Sequence, residues 1–214
     1  MKTHPLALAV LAGLLASCGG AYNAVALTNV CFPPTPGDGG VCVLSSTCEQ
    51  TLASTPELDV AVAPQAFQLS VQFDNQLPSS TNTANGQVNA NDAFVRQTEM
   101  SYSGANLAPI TTDVQVTVRT GGSTVEVLEL VPTSYYAALG ALLPTAASSL
   151  QLVISVRAKG VYGNGAGFTT AWFQVPVTVY NNSGFFGTDP CIAQGKVLTG
   201  WCPQPGQTAV YKCE

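Results

Sequence analysis

The chain has 214 residues, 46% hydrophobic and only 9% charged, with seven basic and twelve acidic side chains and a net charge of −5. That length is enough for one domain of ordinary size, or a domain with a large loop. Seven scattered cations do not make the dense basic patch that nucleic acid requires, so nucleic acid is not an expected partner.

Lys2 is a positive start, and residues 6–15 form an apolar core of about ten residues. That is the length of a signal-peptide core and well short of the roughly 18 to 20 residues that a membrane-spanning helix needs. The segment closes on Leu15-Ala16-Ser17-Cys18, which resembles the lipobox of bacterial lipoproteins. The resemblance implies removal of residues 1–17 and attachment of lipid, palmitate included, to Cys18. Two or three acyl chains hold a protein stably on a membrane where one is marginal. Gly19 after the cysteine implies sorting to the outer membrane, with the periplasmic or surface-facing side left open. Counting agrees: of seven cysteines, giving Cys18 to lipid leaves an even six for disulfides.

Residues 18–30 read as a lipidated tether, and residues 31–57 as a loop region carrying Cys31, Cys42 and Cys48. Within it, residues 32–40 hold three prolines and three glycines, which excludes helix and central strand. The β body runs over 58–180, and a tail over 181–214 carries Cys191, Cys202 and Cys213 and reads as loop. About seven strands are expected, near 58–63, 67–74, 93–102, 113–120, 124–131, 150–159 and 168–180. The clearest alternates Phe67, Leu69, Val71 and Phe73. Thr120 to Ser123, with two glycines, reads as the turn of a hairpin between the fourth and fifth strands.

One short helix is expected over Tyr135 to Leu143, capped by Thr133 or Ser134, with Tyr135, Leu139 and Leu142 on one face and Pro144 as its stop. Pro176 cannot donate to a ladder and points to a strand edge or a bulge in the last segment. Together these elements predict an all-β fold: an immunoglobulin-like β-sandwich with one short helix and disulfide-tied terminal loops.

The lipobox, the strand ending in Asn75-Gln76-Leu77, the late strand 173–179 and the tail around Cys202 to Gln207 occur in this order. In that layout the chain resembles the cysteine-rich outer-membrane lipoproteins that social, predatory bacteria carry in large numbers. The resemblance brings no functional residue beyond Cys18.

The only histidine, His4, lies in the leader, so Ser-His-Asp and Cys-His catalysis and histidine-ligated metal are not expected in the mature chain. No Cys-x-x-Cys and no Ser-x-x-Lys occurs. Gly163 to Gly167 reads as a hairpin loop rather than a phosphate loop, because no helix follows it. Asp74, Asn75 and the stretch 85–92 offer oxygens but lack the spacing of a calcium loop, so they read as turn formers.

No cofactor is expected, and an enzyme is not, although two carboxylates would suffice for a glycosidase. Trp172 falls out of phase with Phe173 and Val175, and with Tyr162 and Tyr180 it makes a possible ligand face. The expected role is a membrane-anchored, non-enzymatic envelope lipoprotein with an envelope protein or polysaccharide as partner. A carbohydrate-binding or adhesive module using that aromatic face is the alternative.

Overall fold

The computed structural model describes residues 24–31, 48, 55–61, 66–78, 89–145, 148–181, 198–202 and 210–213. The leader, Cys18, Cys42 and Cys191 lie outside these residues. Three strands form one sheet in the order β1 (Val25–Val30), β3 (Phe67–Asn75), β6 (Ser123–Val131). A second sheet runs β2 (Glu57–Asp59), β9 (Phe173–Tyr180), β7 (Ser149–Tyr162), β4 (Ala93–Ser103), β5 (Ile110–Val118), with β8 (Gly167–Thr169) also on β7. A hairpin of β10 (Leu198–Cys202) and β11 (Val210–Cys213) stands as a third. Among the described residues, every strand pairing apart from the parallel β2–β9 pair is antiparallel.

The fold is all-β, with the two larger sheets packed together. Alternation positions the core: Phe67, Leu69, Val71 and Phe73 on β3 and Leu152, Ile154, Val156 and Ala158 on β7 are all buried, facing one another across one apolar cluster. Their neighbours in sequence point outward. Gly160 shows how closely neighbouring strands of the second sheet approach, where β7 lies between β4 and β8. A Cβ there would sit 2.1 Å from the Phe94 carbonyl oxygen and 2.7 Å from the Phe168 ring, so only glycine fits.

Several expectations change. The first expected strand, 58–63, shrinks to Glu57–Asp59, because the Asp59 side chain accepts the Ala61 N–H at 3.0 Å and turns the chain. Residues 25–30, read as tether, form β1 on the edge of the first sheet, with Ala24 already buried. The tail, read as loop, contains β10 and β11.

The turn at Thr120 to Ser123 does not close a hairpin. Gly121 takes φ +66° as the sharp bend demands, but β5 pairs with β4 while β6 pairs with β3, so the chain crosses between sheets here. Asn75 holds this corner: its N–H donates to the Gly122 carbonyl at 3.0 Å, and its Nδ2 to the Val118 carbonyl at 3.2 Å.

The helix is shorter than expected, a 3-10 turn (Thr133–Tyr135) leading into α1 (Tyr136–Ala141). Neither Thr133 nor Ser134 caps it; Pro132 and Tyr135 hold the two cap positions without side-chain bonds. Its buried side is Tyr136 and Leu139, Leu143 just beyond its end is buried as well, and Leu142 is exposed. The tight first turn rotates the apolar face by about one residue relative to a uniform helix.

The last expected strand, 168–180, is broken into β8 and β9 by Thr170 to Trp172. Pro176 is accommodated because β2 reaches only Thr178 to Tyr180, which leaves the β9 edge free at the proline. Cys31, buried at the end of β1, is bridged to Cys48 with 5.1 Å between Cα atoms.

Candidate functional site

Trp172 stands at the break between β8 and β9. Lys159 pairs with Thr169 and Val156 with Phe173, so four steps on the broken strand oppose three on β7. The extra residue makes a bulge, a device that re-aims side chains. Thr170 seals it from the inside: its hydroxyl accepts the Ala158 N–H at 2.9 Å in place of a ladder carbonyl, and donates to the Ala171 carbonyl at 2.9 Å. Buried Thr170 thereby satisfies the groups that the break would orphan, and Trp172 is left on the outer face, 45% exposed.

Arg157 is an outward residue of β7, and its guanidinium lies over the Trp172 ring, 4.4 Å from the centroid. Its Nε donates to Glu99 Oε2 at 2.5 Å, and Lys159 donates to the other carboxylate oxygen. These two donors, Lys159 first, hold the Glu99 carboxyl below its ordinary range. Arg96 continues the surface, 5.8 Å over the Phe94 ring. A second bulge, with two β4 residues opposite Lys159, brings Arg96 and Gln97 to the same outer face.

A different cluster occupies the end of the sheets where β1 begins. Asn75 is buried and donates to the carbonyls of Asn91 at 2.8 Å and Val118 at 3.2 Å, while its oxygen accepts the Leu77 N–H. Asp92 accepts from the N–H and hydroxyl of Thr120 at 2.9 and 3.0 Å and from the Asn89 N–H at 3.2 Å. Burial is the largest single influence on Asp92 and acts to raise its pKa. The donors of Thr120 and Asn89, helped by Arg119, outweigh it and leave the carboxyl below its ordinary value.

The oxygens considered for calcium at Asp74, Asn75, Asn89 and Asp92 thus accept protein donors, as turn formers do. The described residues contain no group of three or more His, Cys, Asp or Glu placed to hold a metal ion. The loop after Tyr162 is the expected hairpin connection, with the N–H groups of Gly163, Asn164 and Gly165 donating to the carbonyls of Asp92, Ala90 and Tyr162.

The three residues of the expected ligand face do not converge. Tyr162 points toward the core side at one end of β7, half-buried against the Phe168 ring with 4.9 Å between centroids, and burial raises its pKa. Tyr180 pairs with Ser149 at the opposite end of β7, on the outer face. Only Trp172 borders a charged cluster: Arg157 lies over its ring, and Arg157 and Lys159 both pair with Glu99, three residues that sequence reasoning misses. Alternation on β4 and β7 puts those three on the outward side; their pairing across the two strands is the missing information.

No protein-family model, curated protein or solved structure matches the chain.

Proposed function

We propose that the chain is a bacterial envelope lipoprotein: an immunoglobulin-like β-sandwich anchored to the outer membrane through lipid on Cys18, with a non-enzymatic structural or interaction role. The observation that carries this reading is the stretch Leu15-Ala16-Ser17-Cys18 closing an apolar segment of signal-peptide length. The start of the body at Ala24 and Val25 adds to it. Residues 19–23 then connect lipid and body, and five residues reach at most about 18 Å. Asn75 pairs with Val25 at the start of β1, so on this reading the polar end built on Asn75, Asp92 and Thr120 would sit close to the bilayer surface.

Replacing Cys18 by Ser tests the anchor. The substituted protein is expected to remain unprocessed or to leave the membrane fraction. Retention in membranes after a high-salt wash, with the leader removed, would refute the lipobox reading.

A second reading, favoured by the exposure of Trp172 beside a fixed ion-pair cluster, is a surface that binds polysaccharide. It is compatible with the anchor, since an envelope domain meets saccharide on either side of the membrane.

A further inference from the structure

We propose that the outer face of β4, β7 and the β8–β9 break binds carboxylated sugar rings, with Trp172 as the stacking platform and Arg157 and Lys159 as the carboxylate receptors. This rests on the saccharide-binding reading and narrows it to one chemical class. The first argument is charge. The chain is acidic overall, at −5, yet three of its seven basic residues, Arg96, Arg157 and Lys159, share this one face. The acids facing them are Glu99, between the two cations of β7, and Asp113 of β5, which accepts from Gln97 at 3.1 Å. Three positive against two negative charges leave a locally cationic surface on an acidic protein, which draws an anion to this face in preference to others.

The second argument is preorganisation. Glu99 fixes the Arg157 Nε, so the planar guanidinium is held against the indole rather than swinging in solvent. Two cations share one carboxylate, leaving one positive charge for an incoming group. A guanidinium presents parallel N–H donors that match a carboxylate. Lys159 stands two residues further along the same face, about 7 Å away. A pyranose ring offers a C–H face that stacks on an exposed indole and hydroxyls at its rim. Gln174 and Gln97, both exposed on this face, are donors and acceptors of the kind that rim requires. Trp172 lies outside the apolar core, so its exposure is not needed for folding.

The test is affinity electrophoresis of the full chain in detergent through gels containing polygalacturonate, its methyl ester, or no polymer. A single-stranded oligothymidylate serves as competitor. Retardation by polygalacturonate is expected, weakened by added salt and by esterification. Trp172→Ala and, separately, Lys159→Gln should each weaken it by about tenfold or more, with melting temperatures near that of the parent. Equal retardation by the methyl ester, lost in Trp172→Ala, overturns the carboxylate assignment and keeps the saccharide reading. No retardation by either polymer overturns both. Binding of polygalacturonate unchanged in the two variants refutes this face as the site, and displacement by oligothymidylate at equal charge concentration refutes saccharide selectivity.

Discussion

Single side chains set how this protein responds to pH. Asp92 and Glu99 both have pKa values held below their ordinary 3.8 and 4.5. A carboxyl with a depressed pKa in the folded state binds fewer protons there than in the unfolded chain. Its stabilising contribution is therefore complete above the ordinary value and is lost as pH falls through the folded one. Acid should destabilise the protein below about pH 4, and Asp92→Asn should flatten that dependence. Urea midpoints measured at several pH values check this; an unchanged acid slope in the variant would remove Asp92 from the account. On the alkaline side, burial, reinforced by Glu129, pushes Tyr136 up to about 12. Its contribution is present below its ordinary 10.0 and is lost as pH rises through about 12.

At the scale of elements, the corner between β5 and β6 depends on Asn75. This residue ends β3, yet its amide donates to the carbonyl of Val118 at the end of β5 and of Asn91 in the preceding loop. One buried side chain therefore joins the two sheets where the chain crosses between them. Asn75→Ala would leave those two carbonyls and the Leu77 N–H short of a partner in a place water reaches poorly. The expected cost is about 2 to 3 kcal/mol, read as a lower urea midpoint with an unchanged slope. A loss no larger than an exposed-residue substitution causes would show that water replaces the amide.

At the scale of the whole molecule, pairing of all six cysteines after Cys18 is expected to tie the ends together. Cys31 and Cys48 are bridged, so Cys42 is the one left in the N-terminal trio. In the tail hairpin Cys202 lies opposite Val210 and Cys213 opposite Leu198, at opposite ends of the ladder. Three residue steps along a strand are about 10 Å, beyond the roughly 7 Å that a disulfide spans between Cα atoms. A Cys202–Cys213 bridge is therefore not expected. With six paired cysteines, Cys42 must bond Cys202 or Cys213, and Cys191 the other. Such a crossing bridge would close a loop of about 160 residues or more, worth about 5 kcal/mol in the chain-entropy model. Non-reducing peptide mapping should find Cys42 joined to one hairpin strand and Cys191 to the other. A free Cys42 thiol or a Cys202–Cys213 peptide overturns the arrangement.

Some of this architecture is local and therefore legible in the chain. The two-residue alternation of Phe67 to Phe73 and of Leu152 to Ala158 states which side is buried, because each strand's pleat needs no partner to define its faces. The position of the Gly121 bend is equally local, since a tight turn marks itself by the residue that tolerates positive φ. The path of the chain beyond that bend is not local. Whether β6 pairs with β5 or crosses to β3 depends on contacts with residues some fifty positions earlier, among them Asn75. The same holds for Val25 to Val30, a plain tether in isolation and an edge strand once β3 offers it a ladder. Trp172 is identifiable from the chain as an outward aromatic, but Glu99 and Arg157 come together from strands 58 residues apart in sequence. Patterning decided the faces of this protein, and pairing between distant strands decided which residues share them.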